Sequence, residues 1–343
     1  MWGYGHLLEI TQLSKSYNEV RVLSELSLTV EDKDVFGVLS VDREAMTALS
    51  ELICGCENAD AGEIKIKGET MTRDSLSLKK KVRLIPTALA ADAVETPIEY
   101  LDFVGAALGV EPDKRYRQIK EALELTGIES VQNTLFSFLN ASQRARLAIA
   151  AALIGNPDVI VADDAFSCIE GKQLDEIYEI IAMLGKIKTV IIMSHTPPEV
   201  KRLCKKVAIM CGGRIVLSGS VEEIEARINE THELRISVRG AWEEIRATVE
   251  NIEGVVDVRL LSSEKNDVNS IAVEYKPDSG MKDKLFDALK EINAPMLSVK
   301  HVSLTLDDVF YSLTDKDKKR IAEISEKPET EKKQIRIFGG KRR

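Results

Sequence analysis

Apolar and polar positions along the first two thirds of the chain follow two different periods. Residues 22–30 alternate apolar and polar side chains, which is typical of a half-buried strand. Residues 115–125 instead carry apolar side chains at helical spacing, and Thr96-Pro97 has the form of a helix start with proline at the first helical position. Strand-like and helix-like segments alternate in this way as far as residue 229. This alternation predicts a layered α/β domain over residues 1–229, with a mostly helical subdomain at about 88–145.

The pattern changes after residue 229. The segments that follow predict the order strand, helix, strand, strand, helix, strand, with expected bounds Leu234–Val238, Trp242–Ile252, Val255–Leu261, Ser270–Tyr275, Met281–Ile292 and Leu297–Val302. This βαββαβ order predicts a small α+β ferredoxin-like domain over residues 230–314. We place the boundary near residues 229–231.

Length, apolar stretches, cysteine spacing and net charge limit what kind of protein this chain can be. A length of 343 residues favours two domains. The longest apolar stretches fall short of the roughly 20 residues of a membrane span, and Met1–His6 has no signal-peptide character. Five cysteines without metal-site spacing fit reduced thiols in the cytoplasm. The net charge of −9 argues against nucleic acid as a partner.

The C-terminal tail, residues 315–343, departs from the acidic balance of the chain. It holds eleven lysines and arginines against six acidic residues. Such a composition is typical of a disordered, solvated tail. Contact with a membrane surface or with an acidic partner is the alternative.

A degenerate phosphate-binding loop follows the strand-like run that ends at Leu39. The motif G-x-x-x-x-G-K-[ST] places glycines so that backbone N–H groups face phosphates, and its lysine neutralises them. Here the positions of the two glycines, the lysine and the hydroxyl residue are filled, in that order, by Ser40, Ala45, Met46 and Thr47. Only the hydroxyl side chain is retained.

The neighbouring landmarks support this placement of the loop. They are a hairpin at Ala61–Gly68, the segment Leu139–Leu147 at the head of a helix, a strand that ends in Asp163-Asp164, the segment Ser167–Glu170, a strand that ends at His195, and a hairpin at Gly212–Ser220. In order and spacing these segments resemble the ATP-binding subunit of ABC transporters over residues 7–228. The segment Leu306–Thr314 resembles the L-E-D-V-F-x-x-L-T ending of ABC-2-type subunits. The resemblance therefore implies an ABC cassette of the P-loop NTPase type.

The resemblance also assigns roles to single residues. Tyr17 takes the place of the ring that stacks on adenine, and Thr87 the place of the glutamine that senses Mg²⁺ and water. Asp163 and Thr47 are then the Mg²⁺ ligands. Asp164 replaces the glutamate that positions the attacking water, and His195 is the switch histidine. Simpler interpretations stay open: a turn at Asp163-Asp164, an interior histidine at His195 and a plain strand aromatic at Tyr17.

The signature position is better preserved than the loop. A helix that begins near Asn140, Ala141, Ser142 and Gln143 offers backbone N–H groups to an anion. In the family this segment faces the nucleotide of the other subunit. An ordinary capped helix is the alternative interpretation.

These features predict a cassette subunit with ATP and Mg²⁺ as the family's cofactors but with weak or absent binding of its own. Asp42 and Glu44 place carboxylates near a site for a polyanion, and Arg43 offsets them only if it turns inward. The expected partners are ABC-2 permease subunits and a competent ATPase subunit in a heterodimer, at the inner face of the cell membrane. A slow working ATPase that uses Asp163, His195 and Arg43 is one alternative. A cytosolic regulatory or interaction protein on the same fold is another.

Overall fold

The computed structural model describes residues 6–91, 94–228, 232–264, 267–276, 280–302, 305–307 and 310–311. The chain up to Val221 forms one compact unit, which Phe310 joins, and Glu222–Val309 forms another. The expected boundary at 229–231 and the basic tail, 315–343, lie outside the described residues. The segment 306–314 is described only in part.

The strands of the first unit form two sheets. They are β1 (His6–Tyr17), β2 (Val20–Glu31), β3 (Val35–Leu39), β4 (Ala61–Ile66), β5 (Glu69–Thr70), β6 (Val82–Ile85), β7 (Val159–Asp163), β8 (Thr189–Ser194), β9 (Lys206–Cys211) and β10 (Arg214–Ser220). One sheet has the order β2-β1-β4-β5 and pairs antiparallel. The other has the order β10-β9-β3-β8-β7-β6, and within it β9, β3, β8, β7 and β6 run parallel.

Helices pack between and around these sheets. They are α1 (Arg43–Ile53), α2 (Leu76–Lys79), α3 (Pro97–Ala107), α4 (Pro112–Thr126), α5 (Ala141–Leu153), α6 (Gly171–Leu184) and α7 (Pro197–Leu203). The next helix, α8 (Val221–Ile228), belongs to the other unit from Glu222 onward. Residues Thr96 and Glu99 form a reciprocal capping box at the start of α3, with Pro97 in its first turn. No helix in the described part of the chain combines the length and the apolar character of a membrane span.

The apolar pattern of the sequence accounts for where these elements are buried. β3, β7 and β8 are buried along their whole length, as expected of central parallel strands covered on both faces. α1 packs its apolar face, with Ala45, Met46 and Leu49, into a core shared with both sheets. The helical segment has its own core, in which Leu101, Ile119 and Leu147 are buried.

The second unit has the βαββαβ order that the sequence predicts. Its elements are β11 (His232–Arg239), α9 (Trp242–Glu250), β12 (Val255–Glu264), β13 (Val268–Tyr275), α10 (Met281–Glu291) and β14 (Met296–Val302). The sheet has the antiparallel order β12-β13-β11-β14. Alternate residues of β11, Leu234, Ile236 and Val238, enter a core with residues of α9 and α10. The fold class predicted from the sequence, a cassette followed by a small ferredoxin-like domain, is confirmed.

Candidate nucleotide site at the carboxyl edge of the parallel sheet

The parallel strands bring distant parts of the chain to one edge. Ser40 follows β3, Thr87 lies two residues beyond the end of β6, Asp164 follows β7 and His195 follows β8. The carboxyl ends of parallel strands meet at the same edge of a sheet, where ligands of open α/β folds bind. The structure therefore gathers the sequence-predicted loop and switch residues into one region.

Two side chains of the loop between β3 and α1 accept hydrogen bonds from nearby backbone N–H groups. The Oγ of buried Ser40 accepts a hydrogen bond from the backbone N–H of Asp42 at 3.1 Å. Asp42 is the extended N-cap of α1, and its Oδ1 accepts from the backbone N–H of Ala45 at 3.0 Å. An N-cap carboxylate satisfies a free donor of the first helical turn. In this loop a protein carboxylate thus lies at the helix N-terminus, where an intact loop presents its donors to phosphate.

The residues in the place of the second glycine and the lysine point into the core. Ala45 and Met46 have relative exposures of 0% and 1%. Met46 belongs to the apolar cluster that α1 forms with both sheets. The lysine position of the motif therefore contributes packing and no charge.

Asp163 is held by hydroxyl groups. Its Oδ2 accepts hydrogen bonds from Thr47 Oγ1 at 3.3 Å and from Ser50 Oγ at 3.1 Å. Its backbone carbonyl accepts from Thr87 Oγ1 at 2.8 Å. Burial raises the pKa of the Asp163 carboxyl, and the two hydroxyl hydrogen bonds oppose this rise. Thr47 and Asp163, the expected Mg²⁺ ligands, are therefore in contact with each other.

Asp164 forms the centre of a charged cluster. Its Oδ1 lies 2.7 Å from His195 Nδ1, and its Oδ2 lies 3.5 Å from a guanidinium nitrogen of Arg43. Asp164 is buried, and Oδ2 has no hydrogen bond within the described residues because the Arg43 contact is a longer ion pair. The Arg43 side chain is 65% exposed, and its guanidinium lies near this carboxylate.

A groove of about 570 Å³ extends from this edge along α1. Its lining residues are Tyr17, Asn18, Val20, Val22, Arg43, Glu44, Thr47, Ala48 and Glu51. The hydroxyl of Tyr17 donates to Glu51 Oε2 at 3.4 Å. Burial and the nearby carboxylates of Glu51 and Glu57 raise the pKa of the Tyr17 hydroxyl. The groove thus brings the predicted adenine-stacking ring near α1, but between acidic side chains.

The signature residues begin α5 with a capping box. Asn140 Oδ1 accepts from the Gln143 backbone N–H, and Gln143 Oε1 accepts from the Asn140 backbone N–H, both at 2.9 Å. Ala141 is the first residue of α5, and Ser142 is buried, with its Oγ 3.4 Å from Arg146 Nε. This geometry is that of an ordinary capped helix, the alternative interpretation of the signature segment. Asn140, Ser142 and Gln143 line a separate cavity of about 230 Å³ that no loop residue lines.

The side chains at the loop differ from those of the intact phosphate-binding motif. Asp42 occupies the helix N-terminus, Met46 is buried, and Arg43 is paired with Asp164. Among the described residues, no group of three or more His, Cys, Asp or Glu side chains is arranged to hold a metal ion. Serine, alanine and methionine stand at the glycine and lysine positions of the motif.

Three residues at the site were not identified from the sequence. Ser50 lies three residues after Thr47, so helical spacing was the available signal. Glu51 lies one turn beyond Thr47 on the groove side of α1. Glu199 is buried and its Oε2 accepts from Ser194 Oγ at 2.5 Å. A glutamate four residues beyond His195 gave no sign of burial in the sequence.

Comparison with known proteins relates this chain to ABC transporters. Residues 46–167 match the family model described as ABC transporter. Two solved structures share the fold, each with a TM-score of 0.58 over 65% of this chain and 94% of that chain: cbiO1 from Clostridium perfringens, part of the ABC transporter complex cbiONQ, at 19% identity, and a nucleotide-free ATP-binding cassette from an ABC transporter, at 20%. Residues 46–167 are therefore similar to an ABC transporter domain, and the first unit shares the fold of these two structures.

Curated relatives extend the match beyond this domain. The methionine import ATP-binding protein MetN 2 of Enterococcus faecalis is 26% identical over 264 residues, 74% of this chain and 75% of that protein. MetN 2 of Listeria monocytogenes serotype 4b is 23% identical over 309 residues, 86% of each chain. A match of that extent includes part of the second unit, Glu222–Val309.

Proposed function

We propose that this chain is a cassette subunit of an ABC transporter that no longer binds ATP tightly or hydrolyses it. The observation that carries the proposal is the Asp42 carboxylate on the Ala45 N–H, at 3.0 Å. A carboxylate there occupies this donor and repels the phosphates that an intact loop would bind.

The magnitudes support this proposal. A unit-charge repulsion at about 5 Å costs roughly 3 kcal/mol at an effective dielectric constant near 20. Micromolar affinity corresponds to only about −8 kcal/mol. The missing lysine attraction and the added carboxylate together remove most of that binding free energy.

The proposed partners follow from the class. Competent cassettes associate with membrane permease subunits, and we propose the same for this chain at the cytoplasmic face of the membrane. We further propose a heterodimer with a competent cassette, in which the start of α5 faces the partner's nucleotide. ABC family domains bind ATP with Mg²⁺, and in this arrangement the bound Mg-ATP belongs mainly to the partner.

The type of transporter has two candidates. The ending at Leu306–Thr314 supports an ABC-2-type system. The names of the relatives, which are methionine import proteins, support an importer instead. Purification of the assembled complex and identification of its permease separates the two.

A slow working ATPase is the second candidate function. The 2.7 Å contact between His195 and Asp164 favours it, because it keeps a histidine beside a carboxylate at the strand ends. Turnover by the isolated chain that Asp163→Ala or His195→Ala abolishes would support this candidate and contradict the first.

Assembly tests the proposed role directly. The chain is mixed with its candidate competent cassette and Mg-ATP, and the mass of the complex is measured by light scattering. We expect Ser142→Glu to weaken ATP-dependent assembly by charge repulsion and Asp163→Ala to leave it nearly unchanged. Equal effects of the two substitutions, or an ATP-dependent homodimer of this chain, would contradict the heterodimer.

A further inference from the structure

The groove along α1 has a carboxylate at each end of its floor. Glu44, Thr47, Ala48 and Glu51 line it, at helical positions i, i+3, i+4 and i+7. Residues with this spacing share one helix face. Because a helix rises about 1.5 Å per residue, the backbones of the two glutamates are about 10 Å apart. The short side chains of Thr47 and Ala48 lie between them.

The opposite wall is aromatic and apolar. Tyr17, Val20 and Val22, from the β1–β2 hairpin, line the groove facing α1. Tyr17 donates to Glu51 at 3.4 Å, so ring and carboxylate lie at the same end.

The cations near the groove already have anionic partners. Arg43 is paired with Asp164 at 3.5 Å. Lys15, whose Nζ lies 5.1 Å from the centre of the Tyr17 ring, is paired with Glu57 at 3.0 Å. The lining of the groove therefore carries two carboxylates, Glu44 and Glu51, against one guanidinium, Arg43, which is already paired with Asp164.

We propose that this groove binds an aliphatic di- or polyamine in an extended conformation. One ammonium pairs with Glu44 and another with Glu51, and the methylene chain covers Ala48 and the valines. The Tyr17 ring adds a face that attracts a cation. This inference rests on the proposed loss of nucleotide binding, because a nucleotide held in the family's manner would fill the same groove.

The separation of the carboxylates selects the class of ligand. One inorganic cation would need both glutamate side chains to bend toward each other, because oxygen ligands lie only about 2.0–2.6 Å from Mg²⁺ or Ca²⁺. A monoamine satisfies one carboxylate and leaves the other without a partner. A chain with two ammonium groups spans the groove.

Calorimetric titration of the full chain with spermidine, at low ionic strength, tests the proposal. Exposed ion pairs contribute modestly, so Glu44→Gln and Glu51→Gln should each weaken binding between about 1.4-fold and fivefold, and the double variant more than either. Glu121→Gln, an exposed position on α4, is the matched control and should not change the affinity. Butylamine should bind more weakly than spermidine.

The proposal would be overturned by equal affinity for butylamine and spermidine, by equal competition from MgCl₂ and a diamine, or by unchanged spermidine affinity in the double variant. Absence of spermidine binding would overturn it as well. The same preparation is titrated with Mg-ATP. Tight ATP binding contradicts the proposed function, whereas failure of spermidine alone contradicts only the amine site.

Discussion

Single side chains decide the chemistry of the phosphate loop, and Asp42 contributes most directly. It caps α1 through the Ala45 N–H, so the helix does not need an external anion to satisfy that donor. Asp42→Ala should lower the free energy of unfolding by about 1 kcal/mol, the usual contribution of an N-cap. Urea unfolding measures this change. Asp42→Asn keeps an acceptor and serves as the control, and equal stability of all three proteins would show that the cap contributes nothing.

Glu199 makes stability depend on pH. Burial raises the pKa of its carboxyl above the usual 4.5, although the Ser194 hydrogen bond opposes the rise. The folded state therefore holds the proton more tightly than the unfolded state. The contribution to stability is fully present below the unfolded pKa and is lost as the pH rises through the folded pKa.

Glu199→Gln should flatten this part of the pH profile, because a glutamine can retain a hydrogen bond with Ser194 and does not ionise. Urea unfolding at intervals between about pH 4 and pH 7 measures the change in slope. An unchanged slope would show that Glu199 ionises equally easily in both states.

At the scale of elements, the start of α5 combines a structural role with a proposed binding role. Asn140→Ala removes the cap and should cost about 1 kcal/mol of stability. Asn140→Asp keeps the cap, because aspartate and asparagine are similar N-caps, but adds a negative charge. If the helix start faces a partner's phosphate, Asn140→Asp should weaken ATP-dependent assembly without loss of stability. Light scattering and urea unfolding separate the two effects, and unaffected assembly would leave α5 as a capped helix only.

The elements themselves could be predicted well from the sequence, because period and capping are local. The α3 start at Thr96-Pro97 and the βαββαβ order of the second unit agree with the structure. The contacts of the site could not be predicted, because they join distant strand ends. Nothing local in the sequence indicates that Arg43 pairs with Asp164 or that Ser50 reaches Asp163.

At the scale of the whole molecule, the first unit has the fold of an ATP-binding cassette, and we propose that its phosphate loop no longer holds a nucleotide. The core around α1 gains Met46, and the edge of the parallel sheet is filled by contacts among Asp163, Asp164, Thr47, Arg43 and His195. These contacts give partners to Asp163 Oδ2 and Asp164 Oδ1, while Asp164 Oδ2 has only the longer ion pair with Arg43. The cassette is therefore expected to fold and to assemble without a nucleotide of its own.

The matched variant for testing this account restores the loop motif. It carries Ser40→Gly, Asp42→Asn, Arg43→Gly, Ala45→Gly and Met46→Lys. Circular dichroism establishes that the variant is folded. Thermal unfolding of the wild type with and without Mg-ATP is a second test that does not depend on the variant, since only a bound ligand raises the melting temperature.

The most direct measurement is calorimetric titration of the wild type and the restored variant with Mg-ATP. The account predicts weak or undetectable binding by the wild type and an affinity higher by orders of magnitude in the folded variant. Low-micromolar binding by the wild-type chain would contradict it.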